Sequence, residues 1–140
     1  QELLECAQKH EVSSKLTITG IIERDKVADY VGAFDIALQP GVTEYASPLK
    51  LFEYMAMKRA IIAPDTPNIR EVLTHEHDAL LFSPESTDQF ISAISKLCQN
   101  DELREKLGCN AAKTIEERPF TWVNNANTVV NLTEKLTSYH

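Results

Sequence analysis

No run of apolar residues in this chain approaches the roughly 18 that a membrane-spanning helix needs. Residues 1–10, QELLECAQKH, are polar and amphipathic, so they are not expected to act as a secretory signal. Cysteine is scarce and unorganised: Cys6, Cys98 and Cys109 are odd in number and far apart, with no C-x-x-C pair. Such usage builds no disulfide framework and no cysteine metal site, and it points to a reduced, cytoplasmic setting. Basic residues are outnumbered, 14 Lys and Arg against 21 Asp and Glu, for a net charge of -7. That balance disfavours affinity drawn from the phosphates of DNA or RNA. It leaves room for a small anion held by a local site. Internal repeats and low-complexity segments are also missing. What is present is an ordinary globular composition, 43% hydrophobic and 25% charged over 140 residues, enough for one domain with its own core.

Apolar runs and helical periods alternate along the chain. Residues 1–10 read as a helix with no initiator Met and no cap before Glu2, as expected of a piece of a longer chain. Residues 16–19, LTIT, read as a strand ended by Gly20. Val27, Tyr30, Val31 and Phe34 mark a helix over 25–34, and DIALQP over 35–40 marks a short strand. After a loop at 41–46 comes a helix over 47–58, then a buried strand at 60–63 ended by PDTP, and a short helix within 68–73. A strand at 79–82 and a helix at 88–98 follow, with Cys98 expected in the core. Residues 101–117 read as one helix or a pair interrupted near Gly108, broken at Pro119. Thr121 is expected to cap a last helix whose stripe of Trp122, Ala126, Val129, Thr133 and Leu136 is core or docking surface. Continuous apolar strands between helices predict an α/β fold, a Rossmann-like parallel sheet with flanking helices and a helical C-terminal extension.

The segment at 47–58, SPLKLFEYMAMK, carries the chemistry. Ser47 is a good N-cap and Pro48 suits the first helical position. Leu49, Phe52 and Ala56 recur at three and four, which predicts the buried face. Free N–H groups, the helix dipole and the Lys50 ammonium make that end attractive to an anion, typically phosphate. Glu53, one turn on, is placed to accept from sugar hydroxyls. The plainer alternative is a surface pair between Lys50 and Glu53. Parallel sheets bind ligands beyond the carboxyl ends of their strands, and there the chain also delivers Asp65, Asn68, Arg70 and Glu71. His75 and His77 with Asp78 read as a turn rather than a metal site.

The stretch PGVTEYASPLKLFEYMAMKRAIIAPDTPNIREVLTHEHDALLFSPES resembles the C-terminal half of glycosyltransferase family 4 (group 1) enzymes, which have the two-domain GT-B fold. KLTITGIIERDKVADYVGAFDIALQP before it and DELREKLGCNAAKTIEERPFTW after it fit the same resemblance. The resemblance implies transfer of a sugar from a nucleotide diphosphate sugar, held as substrate with no separate cofactor and no metal. It implies that residues 1–140 are part of a donor-binding domain. By the same resemblance Glu53 matches the glutamate that bonds the ribose hydroxyls. Pro48, Leu49 and Lys50, with Ser47 as cap, match the segment against the diphosphate.

Two departures stand out. The family's other glutamate, eight positions earlier, falls on Tyr45, with Glu44 beside it, and no glycine-rich stretch precedes the helix. The family's first two strands, with their diphosphate-clamping Arg and Lys, have no counterpart, nor does the N-terminal domain. That missing domain is the expected partner, and such a piece is expected to be inactive alone. No catalytic base is assignable. A peripheral membrane contact of the full enzyme stays open. Rival readings are a nucleotide-binding or interaction module without catalysis, and another GT-B-type enzyme such as an epimerase.

Overall fold

The computed structural model describes residues 2–41, 49–118, 120 and 122–137, the side chains of Trp122, Asn125 and Leu136 excepted. Among the described residues three short parallel strands form the sheet: β1 (Ile36–Leu38), β2 (Ala60–Pro64) and β3 (Leu80–Phe82), in the order β1-β2-β3. Ile36 pairs with Ala60 and Ile62 with Leu80, so β2 is the central strand. Its sequence AIIAP is buried throughout, as a strand covered on both faces must be.

Among the described residues seven α-helices accompany the sheet: α1 (Glu2–Lys9), α2 (Val27–Gly32), α3 (Leu49–Ala56), α4 (Pro67–Arg70), α5 (Thr87–Cys98), α6 (Asp101–Glu117) and α7 (Trp122–Thr137). One face of the sheet, carrying Ile61, Ala63 and Leu81, packs on Leu51, Tyr54 and Met55 of α3 and on Ile69 of α4. The other, carrying Ala60, Ile62, Leu80 and Phe82, packs on Leu97 of α5 and Leu107 of α6. The expected α/β layering is thus present.

Several local expectations fail, each for a physical reason. Residues 16–19 form no strand, because no described strand lies beside them to complete a ladder. Ile18 and Ile21 are accordingly exposed. The buried face of α3 is Leu51, Tyr54 and Met55, whereas Leu49 and Ala56 face solvent and Phe52 is half-buried. Helical spacing alone allows both stripes; contact with Ile61 and Ile69 selects the one beginning at Leu51. Cys98 is exposed, at the last turn of α5 and turned away from the sheet. The α6 helix runs unbroken through Gly108. A Cβ there would lie 2.1 Å from the Lys58 carbonyl oxygen, so glycine marks a close crossing, not an interruption.

Turns are fixed by named groups. The α3 helix ends in a Schellman pattern, with Lys58 at φ 55, Lys58 N–H donating to Met55 O and Arg59 N–H donating to Tyr54 O. The Arg59 guanidinium then donates to Gly32 O at 3.1 Å and Phe34 O at 2.7 Å, tying the entry to β1 to the entry to β2. Ser86 caps α5 through Gln89 N–H and Asn100 caps α6 through Leu103 N–H. Asp78 is fully buried; its carboxylate accepts from Thr74 N–H at 2.6 Å and from the Thr114 hydroxyl at 2.9 Å, pinning the loop before β3 to α6. On α7, Ala126, Val129 and Thr133 of the expected stripe are exposed, as are Val123, Val130 and Leu132. Among the described residues no helix is long and apolar enough to cross a membrane.

Candidate functional site

The carboxyl ends of the three strands open on one edge. Gln39 follows β1 there, Asp65 follows β2 and Ser83 follows β3. The α3 helix enters from the β1 side, with its first described turn at Leu49 and Lys50.

On α3 the exposed arc holds Leu49, Lys50, Glu53 and Ala56, opposite the buried arc. The structure therefore brings Lys50 and Glu53 together on one solvent-facing strip, and Leu49 lies on it at 70% exposure. Among the described residues neither Lys50 nor Glu53 forms an ion pair. The simple surface pair is thus not formed, and both charged ends are open to a third partner. The Glu53 carboxylate is felt next door: burial first, then Glu53, pushes the Tyr54 phenol above its ordinary value. Glu44, Tyr45, Ser47 and Pro48 lie outside the described residues.

Behind the strip, α3 is held firmly. The Tyr54 ring meets Phe34 edge-on at 6.3 Å and Phe52 meets Phe120 at 5.2 Å. Arg118 donates to Glu71 O at 3.0 Å and lies over the Phe120 ring. The chain after α6 is thereby drawn across α3 and the end of α4. A carboxylate on a well-packed helix costs little to order when it meets a ligand.

The loop after β2 contributes differently from expectation. Arg70 reaches the same edge but folds back on Asp65: its Nε and Nη2 donate to the two carboxylate oxygens, the second at 2.6 Å. This bidentate bond holds the Asp65 carboxyl below the usual carboxylate range. Arg70 is thus engaged within its own loop. The Thr66 hydroxyl donates to Asn68 Oδ1 at 2.6 Å, which stiffens the entry to α4. Glu71 contributes its main-chain carbonyl to Arg118 and leaves its side chain exposed.

His75 and His77 do not converge. The His75 Nδ1 accepts from Leu81 N–H at 2.9 Å, while His77 Nδ1 lies 3.6 Å from an Asp78 oxygen that also accepts from Thr114. Among the described residues no three His, Cys, Asp or Glu gather as a metal site.

A cleft of about 870 Å³ runs along the outer side of β3, lined by Asp65 and Arg70 at one end and Glu76 and Lys96 at the other. Neither Lys50 nor Glu53 lines it. Sequence reasoning missed this cleft. Its walls come from three separate segments, and the only local sign is the helical spacing of Gln89, Ser92, Ala93 and Lys96.

Comparison with known proteins places this geometry. An alpha-D-kanosaminyltransferase of Streptomyces kanamyceticus is 24% identical over 98 residues, covering 70% of this chain and 25% of that protein. An uncharacterised glycosyltransferase of Methanocaldococcus jannaschii is 25% identical over 125 residues, covering 89% of this chain and 32% of its own. The chain therefore spans about a quarter to a third of these relatives. Among solved structures, sucrose-phosphate synthase from Thermosynechococcus elongatus superposes with a TM-score of 0.83 at 20% identity, covering 99% of this chain and 34% of that one. HepE of Anabaena, solved in complex with UDP, superposes at 0.82 with 14% identity, covering 95% of this chain and 36% of that one. At such identities the overlays establish the fold, a Rossmann-like α/β sheet. Residues 1–100 match the family described as Glycosyl transferases group 1. With that match over most of its length, on a fold shared with those structures, the chain belongs to the group 1 glycosyltransferases.

Proposed function

We propose that this chain is part of the donor-binding domain of a glycosyltransferase of family 4, with the GT-B architecture, that moves a sugar from a nucleotide diphosphate sugar to an acceptor. The diphosphate lies against the start of α3, where backbone N–H groups, the helix dipole and Lys50 meet its charge. Glu53 accepts from the ribose hydroxyls. By the family resemblance Ser47, Pro48 and Leu49 are assigned cap and backbone roles, and Tyr45 with Glu44 the contact to the donor sugar. Stabilising the leaving diphosphate in this way lowers the barrier to transfer. The nucleotide sugar is a substrate, so no cofactor enters the scheme. An N-terminal domain of the same protein supplies the acceptor site and the remaining chemistry, in the cytoplasm, and the 140 residues alone do not catalyse transfer.

The observation that carries the reading is the open strip on α3: Lys50 and Glu53 sit together on its exposed side, without ionic partners among the described residues. Membership of the group 1 family supports it, and so does the UDP held by a protein of the same fold. Glu53→Ala in the full-length protein is the test. A lost hydrogen bond to a charged group costs about 1.5–3 kcal/mol, so kcat/KM for the donor should fall about 10- to 100-fold. Unchanged donor kinetics would remove Glu53 from the site. A UDP titration of the 140-residue chain, followed by amide NMR, should move Leu49 to Glu53 first.

A further inference from the structure

The β3 edge meets two side chains of unlike chemistry. Leu81 N–H donates to His75 Nδ1 at 2.9 Å, and Ser83 N–H donates to Gln89 Oε1 at 2.8 Å. The Gln89 amide oxygen accepts at any ordinary pH. An imidazole nitrogen accepts only while it is unprotonated, and imidazoles gain their proton in the mildly acidic range. His75 is exposed, so protons reach it. Its backbone is anchored independently: His75 bridges to Ala79 in parallel, and Glu76 N–H donates to Ala79 O at 2.8 Å. The ring can therefore turn while the segment stays in place.

The cleft gives the ring somewhere to turn. His75 lines it with Asp65 and Arg70 from the segment after β2, Glu76 from its own segment and Lys96 from α5. The Asp65 carboxyl is held below its usual range by Arg70 first, and the charge of His75 adds to that. The Glu76 carboxyl is held low by Lys96 first, then by His75, with Lys106 of α6 acting on it as well. Both carboxylates thus lie within electrostatic reach of the ring. The other charged neighbours on the segment, His77 and Asp78, face each other and Thr114 of α6. Two anions balance two cations along the cleft, so a proton on His75 leaves it with net positive charge.

We propose that His75 is a proton-operated cap on the β3 edge. Neutral, it takes the Leu81 N–H. With a proton from solvent on Nδ1 it becomes a donor facing a donor, releases that N–H and turns toward Asp65 and Glu76. The cap is thus in place above the titration of the ring and is lost as the pH falls through it. Ser83 keeps its bond to Gln89, so the edge opens at Leu81 alone. Neither Lys50 nor Glu53 lines this cleft, so the switch stands apart from the α3 strip and does not rest on the donor reading.

Amide hydrogen exchange of the 140-residue chain, followed by NMR at about pH 7.5 and about pH 5, brackets the titration of an imidazole. Ser83 serves as the internal reference, since its acceptor does not titrate. After correction for intrinsic exchange rates, the protection of Leu81 relative to Ser83 should fall about fivefold at the lower pH, the factor that one ordinary hydrogen bond supplies. His75→Asn puts a non-titrating amide oxygen near the place of Nδ1 and should make that ratio independent of pH. Should the variant not fold, the imidazole 15N resonances of the unaltered chain decide: Nδ1 should be bare at the higher pH and protonated at the lower, in step with the loss at Leu81. A ratio that stays constant in the unaltered chain overturns the proposal. So does a fall that persists in His75→Asn, or an Nδ1 that already carries its proton at the higher pH.

Discussion

Single residues in this chain are fixed by partners far away in sequence. At Gly108, helix propensity favours alanine by about 1 kcal/mol. The Cβ that alanine brings would sit 2.1 Å from the Lys58 carbonyl oxygen and 2.8 Å from its carbon, both backbone atoms. Overpacking of that kind costs about 3 kcal/mol. Gly108→Ala should therefore lower stability by about 2 kcal/mol net, by the difference of those two figures, in denaturant unfolding. A stabilised Gly108→Ala would mean that α6 does not cross so close. From the sequence, Gly108 looked like a helix interruption, because the approach of Lys58 depends on how α3 and α6 pack. Asp78 was equally opaque: its partner Thr114 lies 36 positions on. Lys50 and Glu53, by contrast, were readable as a possible site from spacing and helix chemistry, since their relation is local.

Elements were easier to foresee than their faces. Strand β2 announced itself as an unbroken apolar run, and β1 and β3 nearly so, because burial on both faces leaves no other composition. The α3 helix was recognisable, yet its inner face was misread. Leu49, Phe52 and Ala56 form one legitimate stripe and Leu51, Tyr54 and Met55 another; only the neighbours Ile61 and Ile69 decide between them. The distinction is measurable. Leu51 is fully buried and Leu49 is 70% exposed. Leu51→Ala should cost about 2–5 kcal/mol, whereas Leu49→Ala should stay within about 0.5 kcal/mol, as surface changes do. Equal losses at the two positions would contradict the face described for α3. The same logic guards the functional reading, because a helix turned by the other stripe would bury Leu49 and redirect Lys50 and Glu53.

At the scale of the molecule, the two edges of the sheet differ. The β3 edge is capped by His75 and Gln89. At β1, Gln39 N–H donates inward to Ile62 O at 2.9 Å, so Ile36 and Leu38 turn their main-chain groups outward, where no described strand pairs with them. Leu38 is 41% exposed, and Ile18 and Ile21 nearby in sequence are exposed too. Unprotected apolar strand edges are a liability that proteins ordinarily cover. Residues 16–19 carry strand chemistry, and no described strand pairs with them. In hydrogen exchange, Ile36 and Leu38 amides of the 140-residue chain should exchange far faster than those of Ala37 and Gln39, which point into the sheet. In a longer chain carrying the further strands that the donor-domain reading requires, Ile36 and Leu38 should become as protected as their neighbours. Equal protection of all four amides in the 140-residue chain would show that β1 is already covered. Continued fast exchange of Ile36 and Leu38 in the longer protein would show that its added strands join the sheet elsewhere, and the donor-domain architecture would have to be redrawn.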